Sequence, residues 1–262
     1  MRKSFSKYFG YIILQLTYPE IAKKENEEWL NHLARLEKYH TNTSERSLFY
    51  NVVFRLVNAA DYGVPQKRER VFIIGFRNDI NGNWSFPPTT HSAEALNYTK
   101  FVTKEYWEKH SIKYPATYQP VNVSLFDPLE KCPWVTVRDA ISDLPDPKDM
   151  NNFYNHNLQE GAKPYNGHTG SLLDEPSKTI KAGDHGVPGG ENMMVLDDGT
   201  VRYYTVREAA RIQTFPDNYY FPCSWTESMR QIGNAVPVKL GAVVANSVKK
   251  TLFANKKSNK NG

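Results

Sequence analysis

Apolar positions Phe5, Tyr8, Phe9, Ile12, Ile13 and Leu16 recur at the 3.6-residue period, which predicts an opening amphipathic helix that stops before Pro19. A second helix is predicted around Trp29, Leu33 and Leu36, with charges on its opposite side and a polar loop over residues 40–46 behind it. The pattern then changes. Residues 50–57 and 71–76, rich in valine and aromatic side chains, read as strands. From residue 77 to about 200 no long period survives. Pro87, Pro88, Pro115, Pro120, Pro128, Pro133, Pro145, Pro147, Pro164, Pro176 and Pro188 punctuate short segments, and glycines crowd residues 183–190. This interval reads as a loop-rich module of short strands and turns. One helix is predicted inside it, started by Thr136 with Asp139 at capping spacing, carrying Val137, Ala140 and Ile141, and ending before Pro145.

The pattern turns helical again after residue 204. Thr205 and Glu208 have capping-box spacing, Val206, Ala209, Ala210 and Gln213 follow at helical spacing, and Pro216 closes the element. Arg202, Arg207, Glu208 and Arg211 load this short helix with charge and leave it little apolar surface of its own. Charge pattern alone leaves two readings: a solvated charged helix, or a structural bridge whose charges meet fixed partners. Ser224 and Glu227 form a further capping pair for a helix through Met229; Gly233 is expected to break the chain. Pro237 sits near the first turn of a last helix whose apolar face is Val243, Val244, Val248 and Leu252.

Composition narrows the class. In 262 residues, 40% hydrophobic and 13% aromatic side chains suffice for one large or two modest cores. Mean hydropathy of -0.61, with no apolar run long enough to span a bilayer, argues against a membrane protein. Met1-Arg2-Lys3 is basic, but the stretch after it lacks the pattern of a signal peptide. The net charge of +5 permits nucleic-acid binding without requiring it. Cys132 and Cys223 form neither a disulfide framework nor a metal-ligand set; they suit a reducing cytoplasm and are expected to be packed thiols. No metal is expected.

Candidate chemistry begins between the two strands. Gln66, Arg68 and Arg70 share one face if the backbone there is extended. Three long donors on one face make a clamp for phosphate or base-edge oxygens; the competing reading is a solvated charge run at a sheet edge.

Three stretches carry a resemblance. Gly63-Val64-Pro65-Gln66-Lys67-Arg68-Glu69-Arg70-Val71-Phe72-Ile73-Ile74-Gly75 resembles the eighth conserved block of the DNA (cytosine-5)-methyltransferases. Arg202-Tyr203-Tyr204-Thr205-Val206-Arg207-Glu208-Ala209-Ala210-Arg211-Ile212-Gln213-Thr214-Phe215-Pro216-Asp217 resembles the ninth, and Gln231-Ile232-Gly233-Asn234-Ala235-Val236-Pro237-Val238-Lys239-Leu240-Gly241 the tenth. The resemblance implies an α/β fold: the C-terminal part of a Rossmann-like, S-adenosylmethionine-dependent methyltransferase with a small loop- and strand-rich target-recognition domain. Residues 1–76 would belong to the catalytic domain, 77–200 to target recognition, 201–253 to the catalytic domain again, and 254–262 to a disordered tail.

The family flips a cytosine out of double-stranded DNA, adds a cysteine thiolate to carbon 6 and methylates carbon 5. Carried over by motif position, Arg70 would steady charge at the cytosine O2, while Arg68 and Gln66 would hold phosphate and loop geometry. Arg68, Thr179 and Ile180 would touch DNA, with Thr179-Ile180 resembling the recognition domain's Thr-plus-aliphatic dipeptide. Backbone at Asn234, Ala235 and Val236 would lie beside the cofactor. The family's Pro-Cys-Gln nucleophile loop, Glu-Asn-Val block and glycine-rich cofactor turn have no counterpart here; Pro222-Cys223-Ser224 departs from the first at its third position. The expectation is therefore one subunit of a split restriction–modification methyltransferase, with a separate polypeptide supplying cofactor site and nucleophile. The alternatives are an inert remnant, a stand-alone DNA-binding module, or a regulator that binds a methyltransferase without touching DNA.

Overall fold

The computed structural model describes residues 5–42, 48–80, 84–114, 130–166, 169–182 and 192–258. The glycine-rich stretch 183–190, Pro115, Pro120, Pro128, Pro188 and the basic N-terminus lie outside them. Packing divides the chain into two compact units. Residues 1–56, 71–86 and 246–262 make one, and residues 57–70 and 87–245 the other.

The first unit opens with helices α1 (Ser6–Thr17) and α2 (Trp29–Asn42). They meet at Tyr11, Tyr18, Leu33 and Leu36. His32 is buried between them, with Nε2 2.7 Å from the Ile21 carbonyl and Nδ1 2.8 Å from the Tyr11 hydroxyl. A carbonyl only accepts, so Nε2 donates to it and the Tyr11 hydroxyl donates to Nδ1. The buried face of α1 thus runs through Tyr11, not through the apolar stripe expected from its sequence. Phe5, Tyr8 and Leu16 of that stripe are 40–49% exposed. Residues 40–42, expected in a polar loop, belong to α2, and residues 43–46 of that expectation lie outside the described residues.

Strands β1 (Tyr50–Asn58) and β2 (Glu69–Arg77) pair in a two-stranded sheet. Gly75 gives room to the Tyr50 ring, which a Cβ there would approach to 3.3 Å. Phe76, Trp84 and Phe86 stack beside the strands, and the Trp84 indole donates to Ser247 at 2.6 Å. Phe54 and Leu56 stay more than half exposed or nearly so, leaving apolar sheet surface open.

The second unit strings short elements together: β3 (His91–Ser92), α3 (Ala93–Phe101), α4 (Glu105–Lys109), β4 (Cys132–Pro133), α5 (Val137–Ile141), β5 (Ser171–Leu172), β6 (Met193–Val195), β7 (Val201–Tyr203), α6 (Val206–Ile212) and α7 (Trp225–Asn234). β3 runs parallel to β4, β5 parallel to β6, and β6 antiparallel to β7, with Met194 opposite Arg202. The predicted capping boxes at Thr136–Asp139 and Thr205–Glu208 both form reciprocally. At α7 only the Ser224 hydroxyl serves the Glu227 N–H; the Glu227 carboxylate turns to Arg230 and Gln231 instead.

The packing departs from expectation at four points. One core joins Val137, Ile141, Ile180 and Met194 to Tyr204, Ala209, Ala210, Ile212, Met229 and Ile232, so a functional division at residue 200 is not a packing division. Gly233 does not break the chain, since α7 runs through it to Asn234. Cys132 and Cys223 are exposed rather than packed. The last helix, α8 (Val238–Ser258), buries Leu240 and Val244 and carries its backbone five residues beyond where a disordered tail was expected to start.

Candidate functional site

The segment between β1 and β2 turns on Asn58, whose side-chain oxygen accepts from the Ala60 and Arg68 backbone N–H groups. Gly63 adopts φ +75° at the end of the short turn Ala59–Tyr62. Gln66 then pairs with Ser177 in an isolated parallel β-bridge. Ser177 N donates to the Pro65 carbonyl at 2.9 Å and Lys67 N to the Ser177 carbonyl at 2.8 Å. The Thr179 hydroxyl donates to the Lys67 carbonyl at 2.7 Å.

Extended backbone alternates its side chains. Gln66 and Arg68 do point one way, as expected, but that way is inward, and both are fully buried. Gln66 Oε1 accepts from the Ile180 N–H at 3.0 Å. The Arg68 guanidinium donates to the Ile180 carbonyl at 2.9 Å and to the Gly233 carbonyl at 2.5 Å. Burial, with Arg70 adding repulsion, lowers its pKa to about 10, so it remains a cation at neutral pH. Arg68 therefore ties three segments together, and its expected phosphate contact does not fit a side chain enclosed in this way. Ile180 is likewise fully buried, so of the Thr179-Ile180 pair the aliphatic half is core rather than DNA-facing. Arg70, half-buried, spends one N–H on its neighbour Glu69's carbonyl at 2.7 Å and keeps most of its fork available.

The same junction receives α7. A Cβ on Gly233 would fall 2.5 Å from the Ala182 nitrogen, so glycine is what allows this helix to press onto the backbone after Ile180. Gln213 donates to the Ile232 carbonyl at 2.8 Å. Gln66 Nε2, Arg68 Nε and Gln213 Oε1 are buried polar atoms lacking a partner among the described residues. Asn234, the last residue of α7, is exposed, as is Val236 beyond it; Ala235 between them is partly so, with its N–H turned back to α7 carbonyls.

The charged side chains on and beside α6 have fixed partners. Arg202 grips Glu208 through two bonds of 2.7 and 2.6 Å, and this pairing holds the Arg202 pKa up despite burial. Arg207, wholly enclosed, donates to the carbonyls of Tyr154, Pro216 and Tyr219. Arg211 forks onto Asp217 and also reaches Asp143 at 2.5 Å. Sequence reasoning missed a second charged knot. Arg138 binds Asp174 and Asp197, and buried Lys100 reaches the Asp174 carbonyl and the Glu175 carboxylate. These groups fix the turn that leads into Ser177–Ile180. Their sequence positions are scattered and carry no spacing signal.

Residues 13–250 match the family model for C-5 cytosine-specific DNA methylases. The chain belongs to that family. It is 33% identical to the type II methyltransferase M.MthTI of Methanothermobacter thermautotrophicus over 78% of this chain and 57% of that protein. With M.BsuRI of Bacillus subtilis it shares 31% over 88% of this chain and 49% of that protein. M.AplI of Arthrospira platensis gives 32% over 89% and 58%. The methylase-family chain thus spans about half the length of the curated relatives it matches. No helix among the described residues is long and apolar enough to cross a membrane, and no cluster of three metal-ligating side chains occurs among them.

Proposed function

We propose that this chain is the target-recognition half of a cytosine-5 DNA methyltransferase of the restriction–modification type, acting with a polypeptide that carries the nucleophile and the main cofactor site. The observation that supports this most is the Gln66–Ser177 bridge, with the side-chain hydrogen bonds from Gln66, Arg68 and Thr179 beside it. It mounts the Gln-x-Arg-x-Arg segment and the Thr179 segment on one another and joins both to α7 through Arg68 and Gly233. A partly exposed Arg70 at the end of this braced segment suits electrostatic stabilisation, because a donor held in place beforehand needs no reorganisation as charge develops on the base. In this reading Arg70 donates to the O2 of the flipped cytosine. Arg68 and Gln66 act as positioning residues that hold the loop.

The exposed Asn234 and Val236 fit one rim of a site for S-adenosylmethionine. That cofactor supplies the methyl group when bound; the chain's own part is to close one side of the site from the end of α7.

The test is reconstitution. The chain alone, incubated with tritiated S-adenosylmethionine and mixed-sequence duplex, is expected to label no cytosine. Addition of a polypeptide carrying the Pro-Cys-Gln and Glu-Asn-Val blocks is expected to restore labelling, and Arg70→Ala to cut turnover by about two to three powers of ten with the methylated site unchanged. Labelling by the chain alone would refute the division of labour. Full turnover in Arg70→Ala would refute the role of that arginine.

A further inference from the structure

The alternation that turns Gln66 and Arg68 inward turns Lys67 outward, onto a groove of about 350 Å³ with Thr169, Gly170, Leu172, Glu175 and Lys178 along it. We propose that Lys67 and Lys178 bind a backbone phosphate of duplex DNA at this groove. The proposal rests on the DNA-recognition reading above.

Position comes first. The Lys67 backbone is pinned at both ends, its N–H by the Ser177 carbonyl and its own carbonyl by the Thr179 hydroxyl. Its side chain is nonetheless half exposed. Gly170, at φ +79°, brings its backbone so close to β6 that a Cβ would sit 3.2 Å from the Met194 carbonyl carbon, so the wall of the groove is fixed as well. A phosphate contact needs a cation on a rigid mount, since ordering entropy subtracts from the binding energy.

Charge comes second. Lys67 and buried Lys100 place two ammonium groups on one carboxylate, Glu175, and Lys178 lines the same groove. Glu175 does not depend on Lys67: its Oε1 is held by the enclosed Lys100 ammonium at 3.0 Å, and only Oε2 faces Lys67, at 3.2 Å. The exposed Lys67–Glu175 pair is worth about 1 kcal/mol or less. Lys67 can therefore turn to an incoming phosphate while Glu175 stays neutralised by Lys100. Lys178 meets a neutral partner, the Thr169 hydroxyl at 3.1 Å, and its charge is open to an anion. Lys67 also lies 5.4 Å from the centre of the Trp134 ring, which limits where its ammonium can swing. A lysine at such a site acts as a point charge, contributing affinity and register rather than base discrimination.

The test is a salt titration of labelled duplex binding to the full chain, followed by fluorescence anisotropy. The Lys67→Gln, Lys178→Gln double variant should reduce the slope of log affinity against log salt by about 0.9, the contribution of one phosphate, and each single variant by part of that. The loss should be the same on every duplex sequence. Lys67→Arg should keep the parent slope, which separates lost charge from a disturbed loop, and Lys113→Gln, on a different segment, should also keep it. If the parent binds duplex and both glutamine variants retain its slope, the phosphate site is wrong while DNA recognition stands. If the parent binds no duplex at any salt, DNA recognition falls and the groove assignment with it.

Discussion

Helices α1 and α6 exchange the roles their sequences suggest. α1 carries a broad apolar stripe and would be expected to bury it, yet Phe5, Tyr8 and Leu16 remain 40–49% exposed and Tyr11 is the fully enclosed residue. α6 carries two arginines and a glutamate in seven residues, yet all but Arg211 are buried. The difference lies in what each helix meets. Around α6, carbonyls and carboxylates are placed to accept from each guanidinium, so its charges enter the interior with partners. Around α1, the same unit offers α2, the two-stranded sheet, residues 77–86 and the end of α8, and these leave Phe5, Tyr8 and Leu16 uncovered. Burial follows the partners available, and hydropathy sets only the cost of lacking them.

Arg207→Met should expose the contrast most strongly. It removes the guanidinium bonds to the Tyr154, Pro216 and Tyr219 carbonyls, and a loss of about 2–3 kcal/mol is expected from chemical denaturation of the folded unit. A loss below about 1 kcal/mol would mean that the enclosed guanidinium contributes little to stability. Tyr11→Phe tests the one buried contact of α1. Removing the hydroxyl strands His32 Nδ1 and should cost about 1–2 kcal/mol, measured in the same way.

Arg211→Met should cost less, about 1 kcal/mol, because Asp143 and Asp217 are largely solvated and repay part of the lost pairing with water. Its clearer signature is the pH profile. Asp217 is held below its usual 3.8 chiefly by the hydrogen bond from Arg211. Asp197 is likewise held down by Arg138, and Asp139 by Lys109 and Thr136 against the opposing effect of burial. A depressed carboxylate adds stability that is fully present above its unfolded pKa and disappears as pH falls through the folded one. The melting temperature should therefore hold down to about pH 5 and drop below pH 4. The drop should be shallower in Arg211→Met; identical profiles would refute the Arg211–Asp217 coupling.

Leu16→Gln should have the smallest effect, within about 0.5 kcal/mol, because the side chain is already half in water. The parent should bind a hydrophobic dye, and the variant less of it. A cost above about 1.5 kcal/mol would show that the α1 stripe is covered in solution, and the comparison of the two helices would fail.

The sequence by itself determined much of the local structure. The helix starts at Thr136 and Thr205 were legible because a capping box is a contract between residues three apart. The strand pair around Gln66–Arg70 was legible from composition and alternation, and family membership from three long motifs kept in order. Whether Gln66 and Arg68 face DNA or protein was not legible. Alternation says that they share a side, and only the bridge to Ser177 and the bonds to Ile180, more than a hundred residues away, say which side that is. Gly233 is similar: a break or a close approach look alike in one dimension, and the 2.5 Å gap to Ala182 decides between them. Exposure of Cys132 and Cys223 was misjudged for the same reason, since a general tendency to burial names no neighbours. Local hydrogen bonds and periodicity are properties of nearby residues and can be read along the chain. The direction a side chain finally faces depends on which distant backbone supplies its partner, and that is set only when the tertiary structure brings the two together.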